Sequence, residues 1–251
     1  ISLERMSGVE EVDTASATIT VLAGTPLQVA QEAAREAGFL FALDLGARGS
    51  CQVGGNIATN AGGNRVIRYG MARDLVLGLE VVLADGTVLS MLNKMVKNNA
   101  GPDLKGLFIG TEGTMGIITR AVLRLHAGVT GANTALIALP DFAAVVKLLR
   151  HAQQRLSGLV SAYEVMWADY YQSATTVGGI RAPLAADYPV YVLMDMQAAE
   201  PEVNSERFET VLEYALEEGW VLDAAIAKSQ ADAEDFWALR DSVAEMLNAY
   251  A

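Results

Sequence analysis

The stretch that decides the fold reads Gln52-Val53-Gly54-Gly55-Asn56-Ile57-Ala58-Thr59-Asn60-Ala61-Gly62-Gly63. Two Gly-Gly pairs flank two asparagines and a threonine. Because glycine has no Cβ, the backbone there can turn tightly and bring its N–H groups close to a ligand. Successive N–H groups of this kind form a concavity that binds anions. The stretch therefore predicts a loop that holds a phosphate, a diphosphate or the polar edge of a heterocycle, with an ordinary tight loop as the alternative.

Composition restricts the class of protein. The chain has 251 residues, of which 52% are apolar, enough for a sizeable core in one large domain or two ordinary ones. Its net charge is −12, so nucleic acid is not an expected partner. The single cysteine, Cys51, excludes an intrachain disulfide. Since the sequence shows neither a signal peptide nor an apolar run of membrane-spanning length, we expect a cytoplasmic protein that is not transmembrane.

The composition changes near residue 132. Nineteen of the 23 glycines lie before that point. Residues 1–132 carry a net charge of −1, whereas residues 133–251 carry −11. We therefore predict two domains, 1–132 and 133–251. Because the chain opens on an apolar-alternating segment without an initiator methionine, we expect it to be the central part of a longer protein.

The first region reads mostly as strands and loops. Strands are predicted at 17–22 and 116–125, and the Asp85-Gly86 turn predicts a hairpin that joins 76–83 to 87–89. A helix is expected after residue 25, with Thr25 as its N-cap, Pro26 at its first position and Gly38 as its stop signal.

The second region alternates strands and helices. Strands are predicted at 133–139, 160–166, 189–196 and 221–227. Helices are predicted from Asp141 as N-cap to about 156, from 201 to 218, and from about 231 onward. Two βαβ units in series favour a ferredoxin-like α+β domain whose sheet is covered by helices on one face.

Further segments accompany the glycine stretch in a fixed order. They are Arg68-Tyr69-Gly70 with Arg73-Asp74; residues 76–86; and Lys97-Asn98, Gly101 and Asp103-Leu104, which lead into residues 107–119. Over residues 41–124 this arrangement resembles the FAD-binding, PCMH-type α+β domain of the vanillyl-alcohol-oxidase flavoproteins. The resemblance is to the branch of D-2-hydroxyacid dehydrogenases, D-lactate dehydrogenases and glycolate oxidase flavin subunits.

The resemblance implies FAD as the cofactor and a role for each matching residue. Two positions depart from the family pattern: Leu45 replaces Pro, and Ala47 replaces Ser, which leaves only the Ala47 N–H as a donor. At Glu112 the alternative is a solvated turn carboxylate. The implied FAD-binding residues are Asp44, Gly46, Ala47, Val53, Gly54, Gly55, Asn56, Thr59, Asn60, Gly62 and Gly63, with Glu112, Gly113, Gly116 and Ile117 at the adenosine end.

The second region resembles the substrate-cap domain of the same family. The segment Phe236-Trp237-Ala238-Leu239-Arg240-Asp241 is similar to a Trp-x-Leu-Arg motif whose arginine holds a substrate carboxylate. A guanidinium suits a carboxylate by geometry as well as by charge. The alternative for Arg240 is a surface arginine that pairs with Asp241 or Glu245. Ala244 stands where some relatives that act on diacids have a hydroxyl residue.

The implied activity is oxidation of a D-2-hydroxyacid to the 2-oxo acid, with hydride passing to flavin N5. The electron acceptor would be a quinone, a cytochrome or a flavoprotein, and a homodimer is left open. The catalytic base and the ligands of a divalent metal such as zinc are not expected in this chain, since His126 and His151 do not match the family motif. One alternative is a non-catalytic FAD-binding accessory subunit or paralogue. Another is a nucleotide- or sugar-phosphate-binding module with an unrelated α/β fold.

Overall fold

The computed structural model of this chain describes residues 1–176, 180–199, 201–243 and 246. The chain divides into two compact units, an N-terminal unit of residues 1–128 and a C-terminal unit of residues 129–251. Each unit has its own main sheet and its own buried apolar core. The assignment of an FAD-binding domain and a substrate-cap domain, with a boundary at residue 132, stays a prediction.

The N-terminal unit is built on a five-stranded antiparallel sheet in the order β1-β2-β6-β4-β5, beside which β3 pairs with β7. The strands predicted at 17–22 and 116–125 are confirmed. Strand β1 was not predicted, because charged residues interrupt the alternation in its sequence. The strands are β1 (Val9–Asp13), β2 (Thr18–Leu22), β3 (Phe39–Leu40), β4 (Val76–Val82), β5 (Val88–Ser90), β6 (Ile117–Arg124) and β7 (His126–Ala127).

Four short helices and one 3₁₀ turn complete this unit. Helix α1 buries Leu27, Ala30 and Ala34, which lie on one face because of their spacing, against the core of the unit. The helices are α1 (Leu27–Glu36), α2 (Val53–Ala58), α3 (Val66–Tyr69) and α4 (Ala72–Leu75), and the 3₁₀ turn covers Leu104–Leu107.

Of the two predictions for the ends of α1, the N-cap is wrong and the glycine stop is confirmed. The prediction of Thr25 as N-cap is wrong, because Pro26 holds that position. The Thr25 hydroxyl instead donates to the Gly8 carbonyl at 3.0 Å and accepts from the Gly8 N–H at 2.9 Å. At the other end Gly38 has a φ of +83°, as a helix stop requires.

The predicted hairpin is confirmed. Strands β4 and β5 pair in antiparallel register, and the Leu83 N–H donates to the Thr87 carbonyl at 2.9 Å across the turn. Gly86 has a φ of +87°, which is the conformation that favours glycine in such turns. Local turn chemistry was therefore sufficient to place this element.

The C-terminal unit has a four-stranded antiparallel sheet in the order β11-β8-β10-β9. In this order the first strand of the unit lies between the fourth and the third, which is the ferredoxin-like arrangement. The α+β fold class is thereby confirmed. The elements are β8 (Gly131–Leu139), α5 (Phe142–Arg155), β9 (Val160–Trp167), α6 (Ala168–Thr176), β10 (Val190–Ala198), α7 (Pro201–Glu217), β11 (Asp223–Ile226) and α8 (Gln230–Asp241).

Helices cover both faces of this sheet. Leu148 of α5 and Phe208 of α7 belong to the core on one face, whereas Tyr171 of α6 and Leu239 of α8 belong to the core on the other. All nine residues of β10 are buried, which requires cover on both sides. The prediction of a single covered face was wrong because α6 was not predicted and α8 was not assigned to a face.

Candidate cofactor and substrate sites

The glycine-rich stretch is a short helix followed by a loop. The N–H groups of Val53 and Gly54 donate to the carbonyls of Thr25 and Ala23, at 2.9 and 2.7 Å. These two carbonyls lie just after β2. The first turn of α2 is therefore fastened to the central sheet, and the N–H of Gly54 is not available to a ligand.

The two glycines of the first pair have different surroundings. A Cβ on Gly54 would lie 2.7 Å from the Cβ of Ala23, so glycine is needed there for close packing of α2. A Cβ on Gly55 would meet no atom within 4 Å. The N–H of Gly55 makes no hydrogen bond to any residue that the structure describes. Only Gly55 of this pair therefore presents its backbone to open space.

The second pair lies against the segment that begins at Asp44. Gly63 has a φ of +80°, and a Cβ at this position would overlap the Asp44 carbonyl oxygen. The same carbonyl accepts the N–H of Asn64 at 3.0 Å. Among the described residues, the N–H groups of Gly62 and Gly63 have no hydrogen-bond partner. Two predicted cofactor segments are therefore in contact here.

The Asp44 carboxylate strengthens that contact. It lies 3.1 Å from Arg48 and 3.7 Å from Arg65, and its side chain is largely buried. Gly46 and Ala47 are exposed in the turn that follows. The Ala47 carbonyl accepts the N–H of Cys51 at 2.9 Å, which brings the chain back toward α2.

The polar side chains of the stretch are engaged within the fold. The amide of Asn56 is buried and lies 3.5 Å from the Cys51 sulfur. The Thr59 hydroxyl donates to the Gly55 carbonyl at 3.0 Å, and the Asn60 side chain accepts the Arg73 N–H at 3.0 Å. These side chains therefore hold the shape of the stretch, and its open donors are backbone N–H groups.

The second glycine cluster packs on the end of α2. The N–H groups of Gly110 and Glu112 donate to the carbonyls of Ile57 and Ala58, at 3.1 and 2.9 Å. Glu112 is exposed and has a φ of +53°. The fold thus brings together segments that lie about fifty residues apart in the sequence, as an FAD site built from both would require.

The remaining residues of this cluster, Gly113, Gly116 and Ile117, lead into strand β6. Gly113 has a φ of +78°, and Ile117 begins β6. A Cβ on Gly116 would lie 2.6 Å from the Cγ1 of Val81, so glycine lets this turn approach β4.

Arg73 ties these segments together, a role that the sequence did not reveal. Its guanidinium donates to the carbonyls of Gly106 and Ile109, at 2.8 and 2.6 Å, while its own N–H binds Asn60. A side chain that bonds only to distant carbonyls leaves no signal in local sequence. In the sequence, Arg73 was singled out only because it lies in a segment that carries the family resemblance.

Arg240 lies in the last turn of α8, beside a pocket of about 450 Å³ that Trp167 and Tyr170 also line. Its Nε donates to Glu164 at 2.9 Å, and its NH1 lies 3.3 Å from an Asp241 oxygen. The alternative pairing with Asp241 is therefore present, although Glu164 is the closer partner. Ala244 and Glu245 lie outside the described residues.

The charges around Arg240 keep it cationic. Burial acts to lower the pKa of Arg240, but the hydrogen bond and charge of Glu164, together with Asp241, outweigh burial and raise it. The Arg240 side chain is one-third exposed, so it remains accessible to an anion. This arrangement can bind a carboxylate.

The two histidines have aromatic neighbours. His126 lies 4.7 Å from the Tyr69 ring, and His151 stacks on Tyr214 at 4.9 Å. Within the described part of the chain, no three His, Cys, Asp or Glu side chains are grouped as metal ligands. A search of the same residues found no helix with the length and apolarity needed to cross a bilayer.

Comparison with known families finds one match in each unit. The family described as FAD binding domain matches residues 1–91, and the C-terminal domain of the FAD linked oxidases matches residues 130–251. The chain belongs to the FAD-linked oxidases. The resemblance inferred from the sequence is thus confirmed, as is FAD as the cofactor of this family, and the hypothesis of an unrelated α/β fold is wrong.

Curated relatives match this chain over nearly its whole length. The D-2-hydroxyglutarate dehydrogenase of Xanthomonas citri pv. viticola is 40% identical over 252 residues, which are 100% of this chain and 52% of the relative. The mitochondrial D-2-hydroxyglutarate dehydrogenase of Bos taurus is 39% identical over 99% of this chain and 45% of its own length. The chain therefore spans about half the length of these relatives.

Solved structures support the fold of this chain. An alkyldihydroxyacetonephosphate synthase matches with a TM-score of 0.74 at 20% identity, over 100% of this chain and 46% of that one. A p-cresol methylhydroxylase with substrate bound matches with a TM-score of 0.68 at 16% identity, over 95% and 53% respectively. At these identities the likeness concerns the fold alone.

Proposed function

We propose that this chain is the cofactor- and substrate-holding part of an FAD-dependent dehydrogenase that oxidises a D-2-hydroxyacid to the 2-oxo acid. The observation that carries the proposal is a set of backbone N–H groups, at Gly55, Gly62 and Gly63, that have no hydrogen-bond partner among the described residues, in a chain that matches the FAD binding domain family. The curated relatives named above, at about 40% identity, support a 2-hydroxyacid as the substrate.

The residues present fit FAD at this place. Gly55 leaves open space where any other residue would carry a Cβ, so a diphosphate can approach its N–H closely. Several N–H groups without internal partners favour an anion, because each can donate to a phosphate oxygen. We propose that Gly55, Gly62 and Gly63 hold the diphosphate and that the 110–117 segment borders the adenosine.

Gly54 has a different part in this proposal. Its N–H already binds Ala23, so it contributes by letting α2 pack closely on the sheet. Asp44, paired with Arg48 and Arg65, fixes the turn that carries Gly46 and Ala47. The turn can therefore present its backbone at a constant position beside the flavin.

The chain's own contribution to the reaction is positioning and charge. When bound, FAD supplies the acceptor for the hydride that leaves C2 of the substrate. Arg240 would hold the substrate carboxylate through charge-assisted hydrogen bonds, which orient C2 and its hydroxyl. The base that takes the hydroxyl proton is not assigned to any residue of this chain.

The test uses the full-length protein with FAD bound and a dye as electron acceptor, against a panel of D- and L-2-hydroxyacids that includes D-lactate and D-2-hydroxyglutarate. We expect activity with D-isomers. Arg240→Ala should lower kcat/KM at least about tenfold, since a hydrogen bond to a charged group contributes roughly 1.5–3 kcal/mol. Arg150→Ala, an exposed arginine of α5, is the control and should leave kcat/KM unchanged.

Two results would count against the proposal. An unchanged kcat/KM in Arg240→Ala would remove Arg240 from the substrate site. A yellow protein that binds FAD but oxidises none of the acids would favour the alternative, a non-catalytic FAD-binding subunit.

A further inference from the structure

We infer that Glu164 is a positioning residue for Arg240, and that it turns the terminal edge of the guanidinium toward the substrate carboxylate. The inference rests on the proposed function. It is carried by the 2.9 Å hydrogen bond from Arg240 Nε to Glu164 Oε2 at the wall of the pocket.

Glu164 is fixed by a strand. It lies on β9 directly opposite Leu193 of β10, inside a continuous antiparallel ladder. A side chain that leaves a regular strand has few orientations, and the Glu164 side chain is only about a quarter exposed. The carboxylate is therefore a firm anchor for a longer and more flexible side chain.

The backbone of Arg240 is anchored separately. The Tyr170 hydroxyl donates to the carbonyls of Arg240 and Leu239, at 2.7 and 3.1 Å. The Ser242 hydroxyl also donates to the Leu239 carbonyl, at 2.9 Å. These bonds satisfy carbonyls at the end of α8, where helical partners run out. With the backbone held, Glu164 determines where the guanidinium points.

The geometry leaves one edge of the guanidinium for a ligand. A guanidinium has five N–H donors in a rigid plane. Glu164 occupies the Nε donor, and Asp241 occupies one NH1 donor at the longer distance of 3.3 Å. Among the described residues, NH2 has no hydrogen-bond partner, so a carboxylate would bind at the terminal edge formed by NH1 and NH2.

Glu164 could also act in the opposite sense. As an anion beside Arg240, it would weaken the attraction of the pocket for a second carboxylate, and its removal would tighten substrate binding. On removal of Glu164, a positioning role therefore predicts a higher KM, whereas a charge effect predicts a lower KM. Glutamine separates them, because its amide oxygen can still accept from Nε but carries no charge.

The experiment compares Glu164→Ala, Glu164→Gln and Arg240→Ala in the full-length, FAD-loaded protein, with D-lactate and D-2-hydroxyglutarate as probes. Glu209→Ala is the control, because Glu209 is exposed on α7 and α7 packs on the face of the sheet opposite to α8. KM and kcat are measured separately, and each variant is checked for native thermal unfolding and flavin content.

For Glu164→Ala we expect KM to rise about tenfold while kcat changes less than twofold, the pattern of a lost uniform binding interaction. Glu164→Gln should return KM to within threefold of wild type. A direct titration with the 2-oxo acid product should show the same ranking in Kd. Glu209→Ala should match wild type.

Three outcomes would overturn the inference. A KM that is unchanged in Glu164→Ala, while Arg240→Ala raises it, would leave the proposed site in place and remove only Glu164. A KM that falls in both Glu164 variants would show that the charge of Glu164 dominates. An unchanged KM in Arg240→Ala would defeat the proposed substrate site together with the inference.

Discussion

Gly54 and Gly55 are neighbours in sequence, yet replacing each with alanine should have opposite consequences. Gly55 lies in α2 with open space in front of it, and its φ is not positive. Alanine is therefore tolerated there, and in the absence of FAD it should stabilise the protein by about 0.5–1 kcal/mol because it restricts the unfolded chain. The added methyl group would occupy the space through which a ligand reaches the N–H.

The expected change in FAD affinity for Gly55→Ala follows from the loss of one hydrogen bond. If the methyl group displaces a phosphate oxygen from the Gly55 N–H, the protein loses one hydrogen bond to a charged group, roughly 1.5–3 kcal/mol. The dissociation constant for FAD should then rise about tenfold to a hundredfold. Gly54→Ala places its methyl group 2.7 Å from the Ala23 Cβ, well inside contact distance. Such overpacking should cost about 1–3 kcal/mol of stability.

The assay uses the full-length protein stripped of FAD. Urea unfolding gives the free energy for wild type and the two variants, and titration with FAD, followed by flavin fluorescence, gives the dissociation constant. Wild-type FAD affinity in Gly55→Ala would refute the assignment of the diphosphate to this N–H. Unchanged stability in Gly54→Ala would refute the packing argument that distinguishes the two glycines.

Two further predictions concern stability. Gly63→Ala should destabilise the protein by more than Gly86→Ala does. Both glycines have φ near +80°, but only at Gly63 would the added Cβ overlap the Asp44 carbonyl. Urea unfolding of the two variants measures the difference, and equal losses of unfolding free energy would contradict it. Burial, with nearby arginines, lowers the pKa of both His126 and His151 below 6.5. Because the unfolded chain then binds more protons, stability should fall as the pH drops through about 6.5, and His126→Phe should lessen that fall. Proton NMR titration of the two imidazoles checks the direction, and a pKa above 6.5 for either would contradict it.

Much of the fold was accessible from local sequence. The Asp85-Gly86 hairpin, the Asp141 N-cap, whose carboxylate accepts the Ala144 N–H at 2.8 Å, and the strands of the ferredoxin-like unit depend on neighbours within a few residues. The prediction failed where a distant contact decided the outcome. Thr25 did not cap α1, because its hydroxyl found Gly8 as a partner.

In the candidate sites, too, some features follow from local sequence and others from distant contacts. The sequence predicted the glycine stretch, the 110–117 segment and Arg240 as site residues, because residue type and spacing carry those signals. It could not distinguish Gly54 from Gly55, since that difference depends on how far α2 lies from Ala23.

The sequence by itself determined the family and the residue types that could hold a cofactor and a carboxylate, and it predicted two regions. Only the tertiary structure decided which N–H groups remain open and which side chain holds Arg240. Glu164 and Arg240 lie 76 positions apart in the chain. Hydrogen bonds between such distant residues are formed by packing, and packing depends on the whole chain at once.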